Sequence, residues 1–270
     1  MAGKARIAFR VAIPCRTAKE WAIMIAKTLT LPALALAPGQ RIYAIGDVHG
    51  QAERLTRLYD AILADLAAAP VRRPTVLYLG DLIDRGPDSA AVLSHVLRTQ
   101  SRLPTVTLLG NHEAMLLDTL ATPDRARAER RAQHWMGHGG AAALQSWGVP
   151  GRAAVNEWSA LLPPAHLALL RSMRLHWTAG RCLFVHAGVR PGVAWASQAR
   201  VDLLYMRAPF LRHRGPPLPD APDRFVVHGH TRGQAPVLTR WRLCVDTGAG
   251  AGGPLTCAVI GRDQVRFLQA

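Results

Sequence analysis

Arg41-Ile42-Tyr43-Ala44-Ile45, followed at once by Gly46-Asp47-Val48-His49-Gly50, is a short apolar run that stops at a polar turn bounded by glycines. A run of this length between turn residues reads as a buried strand. Leu55, Leu58, Ile62 and Leu66 then fall on one face of a helix. The pattern repeats twice. Residues 75–79 lead into Gly80-Asp81-Leu82-Ile83-Asp84-Arg85-Gly86 and a helix opened by Pro87 that carries Val92, Leu93, Val96 and Leu97. Residues 105–109 lead into Gly110-Asn111-His112-Glu113 and a helix over 114–120. Strands and helices in alternation predict right-handed parallel βαβ units in an α/β domain.

Beyond residue 120 the pattern changes. Residues 121–175 read as helical, with breaks at Gly137-His138-Gly139-Gly140 and Pro163-Pro164, and belong to a helical insertion over about 114–180. The remainder offers short strands at 181–185, 225–227, 243–245, 256–260 and 265–268. A helix is expected over 201–211 and a proline-rich loop over 212–223. At 270 residues, 49% hydrophobic and 19% charged, the chain is too apolar to be disordered and suits one large domain, residues 41–270, behind a basic extension, residues 1–40.

The net charge of +15 attracts anions such as phosphates, acidic peptides or nucleic acid, and names no chemistry by itself. Lys4, Arg6, Arg10, Arg16, Lys19 and Lys27 against Glu20 put a third of it before residue 41, and past Lys27 every base is arginine. Cys15, Cys182, Cys244 and Cys257 form no CxxC pair and read as buried thiols in a reducing compartment. The apolar stretch 21–37 is interrupted by Lys27 and Pro32 and falls short of the roughly 20 residues of a membrane span. It mimics a signal peptide ending at Ala35-Leu36-Ala37, but the long basic lead favours a surface-lying or disordered extension on a cytoplasmic protein.

Ligands of open α/β sheets bind outside the carboxyl ends of the strands, where this chain repeatedly puts polar residues. Asp47 and His49 are two apart, so in extended backbone they face one side. Asp81 and Asn111 follow the second and third strands, and His186 and His230 end later apolar runs. Taken singly, each is an ordinary turn or cap residue. Together they form an N/O donor set suited to Mn, Fe or Zn. Asp47, Asp81 and Asp84 gathered beside the glycines call for cations. Asp81, in the middle motif, is placed to bridge two ions roughly 3.5 to 4 Å apart, the spacing that clamps an in-line phosphoryl displacement.

GDVHG (46–50), GDLIDRG (80–86), GNHE (110–113), HAG (186–188) and HGHT (228–231) resemble the signature blocks of the metal-dependent phosphoprotein phosphatases within the calcineurin-like metallophosphoesterases, in particular the small bacterial and phage serine/threonine phosphatases. The resemblance spans about residues 41–270. It implies two central mixed β-sheets flanked by helices. It also implies one metal on Asp47, His49 and Asp81 and a second on Asp81, Asn111, His186 and His230, the ions being manganese, with iron or zinc as options. His112 would be the general acid oriented by Asp84, and Arg85, Arg207 and Asn111 would hold the substrate phosphate. The implied reaction is in-line attack of a dimetal-bound hydroxide on a phosphate monoester, phosphoserine or phosphothreonine on proteins above all. The His-Ala-Gly block replaces the family's usual His-Gly-Gly, and Arg232 stands where broader metallophosphoesterases often carry a histidine.

His228 and Asp246 read as structural neighbours of the site, His95 and His166 as exposed or core-satisfied, and Trp135 as core. Arg125, Arg127, Arg130 and Arg131 read as one basic helical face, solvated or steering acidic substrates. Substrate choice is expected to lie in the 114–180 insertion and the 209–224 loop. Two rival functions remain. A symmetrical dinucleoside polyphosphate hydrolase shares the blocks, although that group's pattern tends to carry alanine before the arginine and GNHD, where this chain has Asp84 and Glu113. A non-catalytic nucleic-acid binder would account for the charge but leaves the donor set unexplained and shows no recognition motif.

Overall fold

The structure, a computed structural model, describes residues 26–30 and 34–270. The bases before residue 26, Cys15 and the first part of the signal-like stretch lie outside the described residues. Among the described residues no helix is long and apolar enough to cross a membrane.

Two mixed β-sheets share an apolar layer. The first has the spatial order β1 (Ala26–Thr30), β11 (Gln264–Gln269), β10 (Thr256–Ile260), β2 (Gln40–Ile45), β3 (Arg73–Tyr78), β4 (Thr105–Thr107). The second runs β5 (His176–Ala179), β6 (Cys182–Val185), β7 (Phe225–His228), β9 (Arg242–Cys244), β8 (Val237–Leu238). Strands β2, β3 and β4 are parallel, as are β6, β7 and β9, while β10, β11, β1, β5 and β8 pair antiparallel with their neighbours. Ile45 pairs with Tyr78, and Tyr78 with Thr107, so the three motif-bearing strands of the first sheet end level with one another.

Successive side chains of a strand point to opposite faces. Ile42 and Ala44 therefore enter the layer between the sheets, with Leu77, Phe184, Val227 and Leu243, while Tyr43 and Ile45 face helices α1 (Ala52–Ala68) and α2 (Ser89–Gln100). A strand covered on both faces has no place for a polar side chain, which is why the 41–45 run is apolar almost throughout. Leu55, Leu58 and Ile62 on α1 are fully buried, each worth about 1.5 to 3 kcal/mol of apolar burial. The Asp88 carboxylate accepts from the Ala91 N–H at 2.9 Å and caps α2.

The insertion is helical: α3 (Asn111–Leu120), α4 (Arg125–Trp135), a π-turn (Met136–Gly140), α5 (Ala141–Ser146), α6 (Trp158–Leu161) and α7 (Pro164–Ser172). Where one helix was expected over 201–211 there are two, α8 (Arg200–Tyr205) and α9 (Ala208–Arg212), separated at Met206-Arg207. Pro209 sits in the first turn of α9, where a missing N–H is harmless, and inside a continuous helix it would have removed a hydrogen bond. Leu203, Met206 and Phe210 pack here with Leu183, Val185 and Val226, covering the outer face of the second sheet. At the other edge, β1 pairs with β11, and Leu34 and Leu36 are buried in the inter-sheet layer. Part of the segment read as an extension thus packs with the domain.

Candidate metal centre

Asp81 follows β3 at the meeting of all the motifs, and its carboxylate is 2% exposed. His49 Nε2 lies 3.6 Å from Asp81 Oδ2, His112 Nε2 3.9 Å from the same oxygen, and His186 Nε2 3.4 Å from Oδ1. Donor atoms of His49, Asp81 and His112 cluster on one side of this carboxylate and those of Asp81, His186 and His230 on the other. Asn111 Oδ1 is 3.0 Å from His186 Nε2. Both Asp47 oxygens accept the His230 N–H at 3.1 Å. Asp47 is thereby tied to the backbone at His230 and belongs to neither of the two donor clusters. The expected extended 47–49 backbone is not found. His49 has φ +46°, because the Val48 and His49 N–H groups both donate to the Asp81 carbonyl and turn the chain.

Six non-glycine residues among those described have left-handed φ, and five stand here: His49, Asp81, Asp84, Arg85 and His230. Each such residue costs on the order of 1 to 3 kcal/mol and persists only where its surroundings impose it. Glu113 is one such constraint. Its Oε2 accepts the Asp81 and Gly110 N–H groups at 2.9 and 3.0 Å, and its Oε1 accepts those of Leu82 and Ile83 at 2.7 and 3.1 Å. Close packing is another. A Cβ on Gly229 would lie 2.2 Å from Asp47 Oδ1, and one on Gly110 2.2 Å from Asp81 Oδ1, so neither position tolerates a side chain.

Three ring nitrogens are fixed from behind. Asp84 Oδ2 lies 2.6 Å from His112 Nδ1 and also accepts the Trp135 indole N–H at 2.7 Å. Backbone carbonyls take the far sides of His49 (Ile83, 2.9 Å) and His186 (Leu79, 2.9 Å), so the Nε2 atom of each ring faces Asp81. Trp135 is fully buried, as a core residue should be, and is also the second partner of Asp84, a role its helical spacing concealed. The Arg85 guanidinium reaches His49 Nε2 at 2.9 Å and His112 Nε2 at 3.0 Å, and Arg207 Nε donates to His230 Nε2 at 3.1 Å. The two arginines thus flank the centre from opposite sides.

Burial and charge set the titrations. Burial, with Asp246 and Asp81 nearby, pushes Asp47 well above the usual carboxylate range. Burial also acts upward on Asp81, but the facing His186 and His112 override it and hold Asp81 well below that range. The same contact, against burial, lifts His186 to about 10. His49 is pushed down to about 4 and His230 to about 3, chiefly by burial. Burial lowers His112 as well, with Asp81 opposing and Arg85 reinforcing. Asp47, Asp81, Asp84, Glu113 and Asp246 are all buried. Carboxylates so crowded, facing imidazole nitrogens and an amide oxygen with no thiol among them, fit hard to borderline divalent cations.

The centre lines a pocket of about 160 Å³ together with Arg85, Asn111, Arg207 and His230. His134 and His138 of the insertion and Tyr205 complete the rim. His138 lies 6.4 Å from His112 between ring centroids, on the π-turn whose Gly139 carbonyl accepts the Arg85 N–H at 3.1 Å. The insertion therefore borders the site as expected, but the 209–224 loop does not, and residues 205–207 take its place. The basic face also divides. Arg125 pairs with Glu129 at 2.9 Å, away from Arg127, Arg130 and Arg131. His228, Asp246, His95 and His166 are all buried; the Asp246 carboxylate accepts the Gly248 N–H, and His166 contacts Ser94 and Trp147. Cys182, Cys244 and Cys257 are free and buried.

The sequence profile of the calcineurin-like phosphoesterases matches residues 40–234, which takes in all five motif blocks. The chain belongs to the calcineurin-like phosphoesterases. It is a phosphoesterase, a hydrolase whose His and Asp residues are arranged to bind metal. Among calcineurin-like relatives, the symmetrical bis(5′-nucleosyl)-tetraphosphatase of Paracidovorax citrulli is 36% identical over 77% of this chain and 68% of its own length. The serine/threonine-protein phosphatase 1 of Salmonella typhimurium is 30% identical over 82% of this chain and 92% of its own. A crystal structure of a candidate diadenosine tetraphosphatase superposes with a TM-score of 0.60 at 20% identity, covering 87% of this chain and 96% of that one. A protein serine/threonine phosphatase of Saccharomyces cerevisiae gives 0.53 at 15%, covering 87% and 81%. At such identities the structural likeness is one of fold.

Proposed function

We propose that this calcineurin-like phosphoesterase hydrolyses dinucleoside polyphosphates, cleaving within the phosphate chain. The observation that carries the choice of substrate is the 36% identity with a symmetrical bis(5′-nucleosyl)-tetraphosphatase over three quarters of the chain. The metal set that the resemblance implies would put one divalent cation on Asp47, His49 and Asp81 and a second on Asp81, Asn111, His186 and His230, manganese first and iron or zinc as alternatives. It draws on both donor clusters around Asp81, with Asp47 held beside them at the His230 backbone. When bound, such ions supply Lewis acidity to the phosphoryl oxygens and lower the pKa of water. Arg85 and Arg207, one on each side of the donor cluster, hold phosphate oxygens and stabilise the charge that builds on them. His112 presents Nε2 to the pocket with Nδ1 tied to Asp84, and delivers a proton to the leaving oxygen. Asp84, oriented by Trp135, favours the protonated imidazole.

A second reading, phosphoserine or phosphothreonine hydrolysis on proteins, is favoured by Asp84 and Glu113 within GDLIDRG and GNHE and by the match along 92% of the Salmonella phosphatase. One experiment separates the two. After chelation and re-addition of single cations, diadenosine tetraphosphate and a phosphoserine peptide panel are compared by kcat/KM. Preference for the dinucleotide, with ADP as the product, is expected. Preference for the peptides overturns the reading, and cation-independent turnover of both removes the metal assignment.

A further inference from the structure

Arg127, Arg130, Arg131 and His134 stand at i, i+3, i+4 and i+7 of α4 and so share one face, while Ala128, Ala132 and Trp135 are buried on another. This basic face walls a groove of about 440 Å³ that is closed on its other side by Met115, Asp118 and Tyr205. Met115, His134 and Tyr205 also line the catalytic pocket, so the groove runs out from the site of phosphoryl attack. Asp118 is its single carboxylate, and Arg200 already grips it at 3.2 and 3.3 Å, with Arg131 at 3.9 Å. Arg127 and Arg130 have no acidic partner among the described residues, in contrast to Arg125, which is paired with Glu129. Like charges at this helical spacing repel one another, and the three arginines form a positive strip over about 6 Å at 1.5 Å of rise per residue, with Arg127 and Arg130 uncompensated by any acid among the described residues. Guanidinium groups match phosphate oxygens bidentately.

We infer that this groove binds the phosphates of an extended phosphate chain that lie beyond the phosphoryl group under attack. The inference rests on the dinucleoside polyphosphate reading and deepens it. Length of the phosphate chain, as distinct from the nucleoside, becomes the recognised feature, and a simple monoester fills the inner pocket alone.

The test is competition against p-nitrophenyl phosphate hydrolysis at saturating manganese by dinucleosides bridged by two, three, four and five phosphates. In the wild-type protein the inhibition constant is expected to fall as the bridge lengthens. In Arg127→Gln/Arg130→Gln the constant for the four-phosphate compound is expected to rise about tenfold, at roughly threefold for each exposed charge pair lost. The KM for p-nitrophenyl phosphate, which reports an intact fold and inner pocket, is expected to stay within twofold. Inhibition independent of bridge length, or a length dependence that survives in the variant, overturns the inference. So does a variant that loses affinity for an acidic phosphoserine peptide while its bridge series is unchanged, because the groove would then serve protein substrates. Length-dependent inhibition without cleavage of diadenosine tetraphosphate leaves the groove standing and removes the hydrolase reading. Cleavage without length dependence does the reverse.

Discussion

Glu113→Gln should disable the centre without touching a metal donor. Each carboxylate oxygen of Glu113 accepts two buried backbone N–H groups: Oε2 those of Asp81 and Gly110, Oε1 those of Leu82 and Ile83. A glutamine of equal size can offer its oxygen to one pair only. Whichever way it turns, its amide N–H₂ then faces two donors. Two buried donors left without acceptors cost about 1 to 3 kcal/mol each, so the expected loss is roughly 2 to 6 kcal/mol. For a chain of this size that is a fall in Tm of about 5 to 15 °C. The same N–H groups fix the 80–83 turn that holds Asp81 at φ +52°, so bound metal should fall in parallel with stability. Thermal unfolding followed by circular dichroism and elemental analysis of the purified variant measure both. A variant with unchanged Tm and full metal content would refute the bracing role.

Three further outcomes follow from the same geometry. His112→Asn should reduce kcat by about 10² to 10⁴, the usual worth of a positioned general acid, with little change in metal content; an equal loss of metal would make His112 a ligand instead. Trp135→Phe removes one of the two partners of Asp84 Oδ2 and opens a small void, for a stability loss of about 2 kcal/mol in denaturant titration, and its kcat should fall while KM holds. Burial holds His95 and His166 below the ordinary histidine value of 6.5. Between the folded and unfolded values the unfolded chain binds more protons, so stability falls as pH drops through 6.5. Urea unfolding from pH 7.5 to 5 should be flatter in His95→Leu than in the wild type.

The three βα units were legible because a strand buried on both faces and a helix buried on one leave unmistakable apolar periods, and because each polar motif interrupts such a period at a strand's end. Asp47, Asp81, Asn111, His186 and His230 could be singled out for the same reason, since each stands just beyond an apolar run, with His49 two residues after Asp47. Glu113 was named only as part of a motif. An acid in the first turn of a helix reads as a cap, and its hold on three residues of another loop depends on a contact 30 residues away. Trp135 was read as core since its bulk dominates any periodicity, and the hydrogen bond of its indole leaves no trace in spacing. The four arginines were read as one face, and the reading missed that Glu129, four residues after Arg125, takes Arg125 as its partner and parts it from Arg127, Arg130 and Arg131. Strand β5, alternately exposed and half-buried, and the two-residue β8 carry too little apolar signal to be found.

Asp47, His49, Asp81 and Asn111 project from loops of the first sheet, whereas His186 and His230 follow β6 and β7 of the second. An ion gripped by both groups is a rivet across the domain's midline as much as a reagent. Its binding energy adds to folding by mass action, as RT ln(1 + [L]/Kd). Saturation with metal should then weld the two halves into one cooperative unit, and stripping it should let amide protons along the seam exchange before those deep within either half.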